Sequence, residues 1–105
     1  MATKGTTGVS GGSGSSLTSA SVTVGSNGNR ILDIAVVLSS NTATVSSVTR
    51  NGQSATQIQR VALVDTSIEV WRIIAPTTGA ATITASFSTS VGEAYVAWYS
   101  VYNVN

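Results

Sequence analysis

Few side chains in this chain could take part in bond-making chemistry. Histidine and cysteine are both absent, which removes Ser-His-Asp and Cys-His nucleophiles and most transition-metal sites. A Ser-Lys pair would have to use Lys4, set alone among Gly, Ser and Thr. The acid/base candidates are four carboxylates, Asp33, Asp65, Glu69 and Glu93. No two of them stand at a spacing that marks a catalytic pair. Asp33 lies inside an aliphatic run, so it is expected to be buried with a raised pKa, to face a cross-strand Arg or Thr, or to point out on an otherwise exposed face. Asp65-Thr66 and the turn Ser26 to Asn29 offer oxygen ligands, but not the dense Asp spacing of a dedicated calcium loop. Gly11-Gly12-Ser13-Gly14 lacks the Lys-Ser/Thr end of a phosphate loop and precedes a strand. The sequence therefore points to a protein that is not an enzyme, with no catalytic residue, no metal and no cofactor.

Charge excludes more. Only 9% of the 105 residues are charged, with a net charge of +1, against roughly a quarter in ordinary soluble domains. Lys4, Arg30, Arg50, Arg60 and Arg72 stand singly, so no basic cluster exists to neutralise phosphates, and nucleic acid is not an expected partner. No apolar run is long enough to cross a membrane as a helix. The start, MATKGTTGVSGGSGSS, lacks the apolar stretch of a secretory signal, and a product made in a cytoplasm is the expectation. A weakly charged surface lets copies pack without burying unpaired ions, which suits a subunit of a homo-oligomer.

Aromatic residues carry the one binding signal: Trp71, Tyr95, Trp98, Tyr99 and Tyr102 could stack on sugar rings or anchor a protein interface. On a strand, Tyr95 and Tyr99 share one face and Trp98 and Tyr102 the other, so one pair is expected in the core.

The elements that must position them are strands. Arg30 to Ser40, RILDIAVVLSS, is the longest apolar run and fills both parities, which predicts a central strand covered on both faces. Leu17 to Val24 alternates from Ala20, with Ala20, Val22 and Val24 inward and Ser19, Ser21 and Thr23 outward. Ala43 to Arg50, Gln53 to Val64, Ser67 to Ala75, Ala81 to Ser88 and Glu93 to Val104 complete seven strands. Asn51-Gly52 marks a two-residue hairpin turn, and turns are also read at Asn27-Gly28, Pro76 to Gly79 and Thr89 to Gly92. Nothing holds a helical period for three turns. The expected fold is all-β, an antiparallel two-sheet sandwich (immunoglobulin-like or jelly-roll-like) over residues 17–105.

Residues 1–16 read as a separate Gly/Ser/Thr-rich arm. Extended, it could reach about 50 Å, and the expectation is that it lies on a neighbouring subunit. The candidate interface is accordingly Lys4, Thr6, Val9 and Leu17, together with the five aromatic residues above.

Asn29-Arg30-Ile31-Leu32, Val48-Thr49-Arg50-Asn51-Gly52 and Val70-Trp71-Arg72 leading to Pro76 and Gly79 together resemble a small immunoglobulin-like β-sandwich module of tailed-bacteriophage virion proteins and some bacterial surface proteins. The resemblance covers roughly residues 17–104. It implies a structural virion protein that decorates a capsid, with capsid protein or like subunits as partners and no catalytic residues. The rival expectations are a carbohydrate-binding module, and an extracellular or cell-surface filament subunit assembling by strand addition.

Overall fold

The computed structural model describes residues 2–104. The chain is all-β, with no helix among those residues. Its strands are β1 (Thr3–Thr18), β2 (Val22–Val24), β3 (Ile31–Leu38), β4 (Val45–Arg50), β5 (Gln53–Ser54), β6 (Thr56–Ala62), β7 (Ser67–Ile74), β8 (Gly79–Ala81) and β9 (Ile83–Tyr102). One antiparallel sheet runs in the order β5-β4-β9-β3-β7-β6, with β1 on β9, while β2 and β8 form a small second sheet. The seven strands read from the sequence become nine: three of them break, at Ser19 to Ser21, at Ala55 and at Thr82, and the last two fuse into β9.

β9 is the spine. Its second half pairs with β3, Val96 opposite Val36, and its first half with β4, Ala85 opposite Val48. The expected turn at Thr89 to Gly92 is instead strand, carrying β9 from its β4 ladder to its β3 ladder. β1 shifts register at the same level, between Gly12 and Ser16, and Ser39 to Thr44 separates β3 from β4. All three ribbons therefore bend together, and the sheet curls over its own inner face. The curl is marked by a bond across it: the Val45 N–H on β4 donates to Glu69 Oε2 on β7 at 2.8 Å. The layering is thus one curled sheet and a small second one.

Alternation fills the inside. Leu32, Ile34, Val36 and Leu38 of β3 are buried, as are Ile83, Ala85, Phe87, Val96 and Trp98 of β9 and Ile73 of β7. Val22 and Val24 point inward as their spacing predicts, whereas Ala20 is exposed and Ser19 takes the inner place. Asn51-Gly52 turns with φ of 48° and 78°, the left-handed pair that a two-residue hairpin requires.

Residues 1–16 carry no apolar pattern and were expected on a neighbour, yet from Thr3 onward they have a partner in their own chain. Thr7 lies opposite Tyr99, Val9 opposite Ala97 and Gly12 opposite Ala94. The reason is complementary size. A Cβ on Gly8 would run into the six-membered ring of Trp98, with Cε2 only 2.8 Å away, so β1 supplies no side chain where β9 supplies its largest. Gly8→Val is expected to cost about 1–3 kcal/mol by overpacking and to free residues 3–11. Amide hydrogen exchange reads that release directly, with Gly28→Ala, where a Cβ meets open space, as the control.

Candidate interaction face

The strand whose composition demands two covers receives one. β3 alternates half-buried and fully buried from Ile31 to Leu38; Ala35 and Val37 point away from the core, and β7 does the same with Ile68 and Val70. Register lines these residues into rows across the sheet. One row runs Val9, Ala97, Ala35, Val70. The next runs Tyr95, Val37, Ile68, Val61. Beyond them Ile31 stands between Val101 and Ile74, and Ile74 is 73% exposed. The correction to the sequence reading is specific: both parities of β3 are apolar, but the chain covers only the inner one.

One ion pair interrupts this outer face. Arg72 on β7 holds Asp33 on β3 with both ends of its fork, Nε to Oδ1 at 2.7 Å and one terminal nitrogen to Oδ2 at 3.1 Å. This is the cross-strand Arg expected for Asp33. The hydrogen bond and the charge of Asp33 hold the Arg72 guanidinium above its ordinary pKa. The pair cancels its own charge, so the face stays neutral. At the rim the Tyr95 hydroxyl donates to Glu93 Oε2 at 3.1 Å, and that carboxylate pushes the phenol pKa up.

The aromatic residues divide by face. Tyr95 and Tyr99, each 45% exposed, stand on the outer face, and Tyr102 is half-buried at the end of β9. Trp98 and Trp71 are buried on the inner face, where the Trp71 indole N–H donates to Glu69; they are core, not surface anchors. Leu17 is core as well, while Val9 lies on the outer face and Lys4 is exposed opposite Val101. The Thr6 N–H donates to Ser100 Oγ at 2.7 Å, which ties down the start of β1. Of the nine expected contact residues, Val9, Tyr95 and Tyr99 belong to this outer face, and its aliphatic centre, Ala35, Val37, Ile68 and Val70, was missed. Its signal was the filled parity of β3 and β7, which reads equally well as a strand buried on both sides.

The carboxylates are dispersed. Glu69 is buried among donors from Val45, Gln57 and Trp71, with Arg60 Nε at 3.5 Å. Asp65 lies in the hairpin closed by the Leu63 N–H on the Thr66 carbonyl. Among the described residues no three His, Cys, Asp or Glu side chains gather to hold a metal ion.

Fold and face together define a class: an all-β protein whose curled sheet presents a largely apolar outer surface. No family model, curated protein or solved structure matches the chain.

Proposed function

We propose that the protein is a non-catalytic structural subunit whose outer sheet face docks on other protein. The carrying observation is the continuous apolar surface from Val9 to Val61, broken only by the self-neutralised Asp33–Arg72 pair. Large contiguous apolar patches on soluble proteins mark interaction sites. A neutral sheet face can be buried against another protein without stranding a charge. In this reading the curled body is a variant of the immunoglobulin-like sandwich, and the setting is the one the sequence resemblance suggests, a subunit seated on a bacteriophage capsid.

The test is copurification with capsids at a fixed copy ratio, using wild-type protein and Val37→Lys, which puts a charge at the centre of the face. The expected result is stoichiometric binding by the wild type and release of the variant at an unchanged thermal midpoint. Binding that survives Val37→Lys defeats the reading. A glycan-binding role has its own support in two exposed rings, Tyr95 and Tyr99, about 13 Å apart along one strand. Retention on a glycan array that disappears with Tyr99→Ala, but not with Val37→Lys, would favour it.

A further inference from the structure

β6 is the one strand of the curled sheet that the chain leaves bare on both faces. Every residue from Thr56 to Ala62 is exposed except the half-buried Arg60, and the strand ends the sheet. Ile58 and Val61 lie on it, and Leu63 and the 83% exposed Val64 follow at the hairpin. Edge strands are ordinarily guarded by Lys, Pro or inward charges. β6 has neither Lys nor Pro; its guards are one bulge, between Gln57 and Gln59, and one inward charge, Arg60, drawn to buried Glu69, so the regular stretch from Gln59 to Ala62 is the edge left open. The opposite edge, β1, carries Lys4.

The hydrogen-bond phase of the edge follows from the ladder. Leu63 donates to the Thr66 carbonyl, and bonded and non-bonded pairs alternate in an antiparallel ladder. Val61 opposite Ile68 and Gln59 opposite Val70 are therefore the bonded pairs. The amides and carbonyls of Arg60 and Ala62 point away from β7, toward the free edge.

We infer that β6 is a self-pairing edge, and that its occupant is β6 of a second copy of this chain, antiparallel about a two-fold axis through Val61. In that register Arg60 meets Ala62 of the second copy, so its outward N–H and C=O are satisfied and the two Arg60 charges are not opposed. Gln59 meets Leu63, and Ile58 closes on Val64. The two Val61 side chains meet on the outer face. The row Tyr95, Val37, Ile68, Val61 then continues into its own copy, doubling the apolar surface. An isologous contact of this kind closes as a dimer rather than a fibre. The inference stands on the edge alone and does not depend on what the outer face docks.

Because the chain contains no cysteine, Val61→Cys reports the axis directly. Cα atoms in a non-bonded antiparallel pair lie about 4.5 Å apart, within disulfide reach of about 4.4–6.8 Å. Mild oxidation of Val61→Cys is expected to give a covalent dimer, and Val9→Cys, on the same face at the far edge, to stay monomeric. Sedimentation should give a concentration-dependent dimer for the wild type. Ala62→Pro removes only an outward N–H, and Val61→Lys sets two like charges on the axis. Each should weaken the dimer at least about tenfold, the second serving if the first does not fold. A wild-type monomer up to about 1 mM overturns the inference. So does dimerisation unaffected by the folded variants, or crosslinking of Val9→Cys as fast as Val61→Cys, which would put the contact on the face.

Discussion

Glu69→Ala should be among the most damaging single substitutions in this protein, costing about 3–5 kcal/mol, the range for breaking a buried charge pair by removing one partner. The Glu69 carboxylate sits on β7 with 1% of its side chain exposed. It accepts the Val45 N–H and the Gln57 amide, both at 2.8 Å, and the Trp71 indole N–H at 3.1 Å. Arg60 stands 3.5 Å away. Alanine would leave two buried donors, the Val45 N–H and the Trp71 indole, without an acceptor, would release the exposed Gln57 amide to water, and would leave one guanidinium without its counter-charge. The bond to Val45 matters most because it crosses the curl and holds β4 over β7. Glu69→Gln keeps one carbonyl acceptor but turns an NH2 toward the remaining donors, so an intermediate loss is expected. Urea unfolding at constant slope measures both. A Glu69→Ala midpoint close to the wild type would show that the curl is held by apolar packing alone.

Nothing in the sequence announced that role, and the reason is instructive. Glu69 stands in SIEVWRII, where its parity matches Trp71 and Ile73, but an acidic letter on a strand is ordinarily read as the solvent side. The acceptors and donors that make its burial tolerable come from β4, β6 and β7, and no local pattern records which strands meet. Short-range signals were legible: the aliphatic run of β3, the Asn51-Gly52 turn, and Val22 and Val24 facing inward. The partner of residues 3–18 was not, because a Gly/Ser/Thr run shows its purpose only against the large side chains of β9. Thr89 to Gly92 reads as a turn by residue type, yet β9 passes through it as a bend shared with β1. The outer face was half legible. The filled parity of β3 asked for two covers, and sequence alone does not say that the chain supplies only the inner one.

Arg50→Ala is the second large effect, about 3–5 kcal/mol from stranded carbonyls and the cavity left behind, and it isolates a different joint. Arg50 ends β4 with 1% exposure and has no carboxylate partner among the described residues. Its fork instead donates to three backbone carbonyls: Thr77 at 2.8 Å, Val22 at 2.9 Å and Gly79 at 2.7 Å. Val22 begins β2 and Gly79 begins β8, so one side chain binds the small sheet to the large one. Burial pulls the guanidinium pKa below its ordinary value, but a group that starts so high stays charged. Its charge is spread over carbonyl dipoles, which is why it can be buried without a carboxylate. Removing it strands those carbonyls and leaves a hole the size of the largest fully buried side chain in the core. Arg50→Met separates the two losses, since it refills most of the volume and restores no donor. If donors are what count, Met and Ala should destabilise alike, and the amides of Val22 to Val24 and Gly79 to Ala81 should lose hydrogen-exchange protection before the large sheet does. If Met restores stability, the joint is packing, and the small sheet would stay docked without its ion.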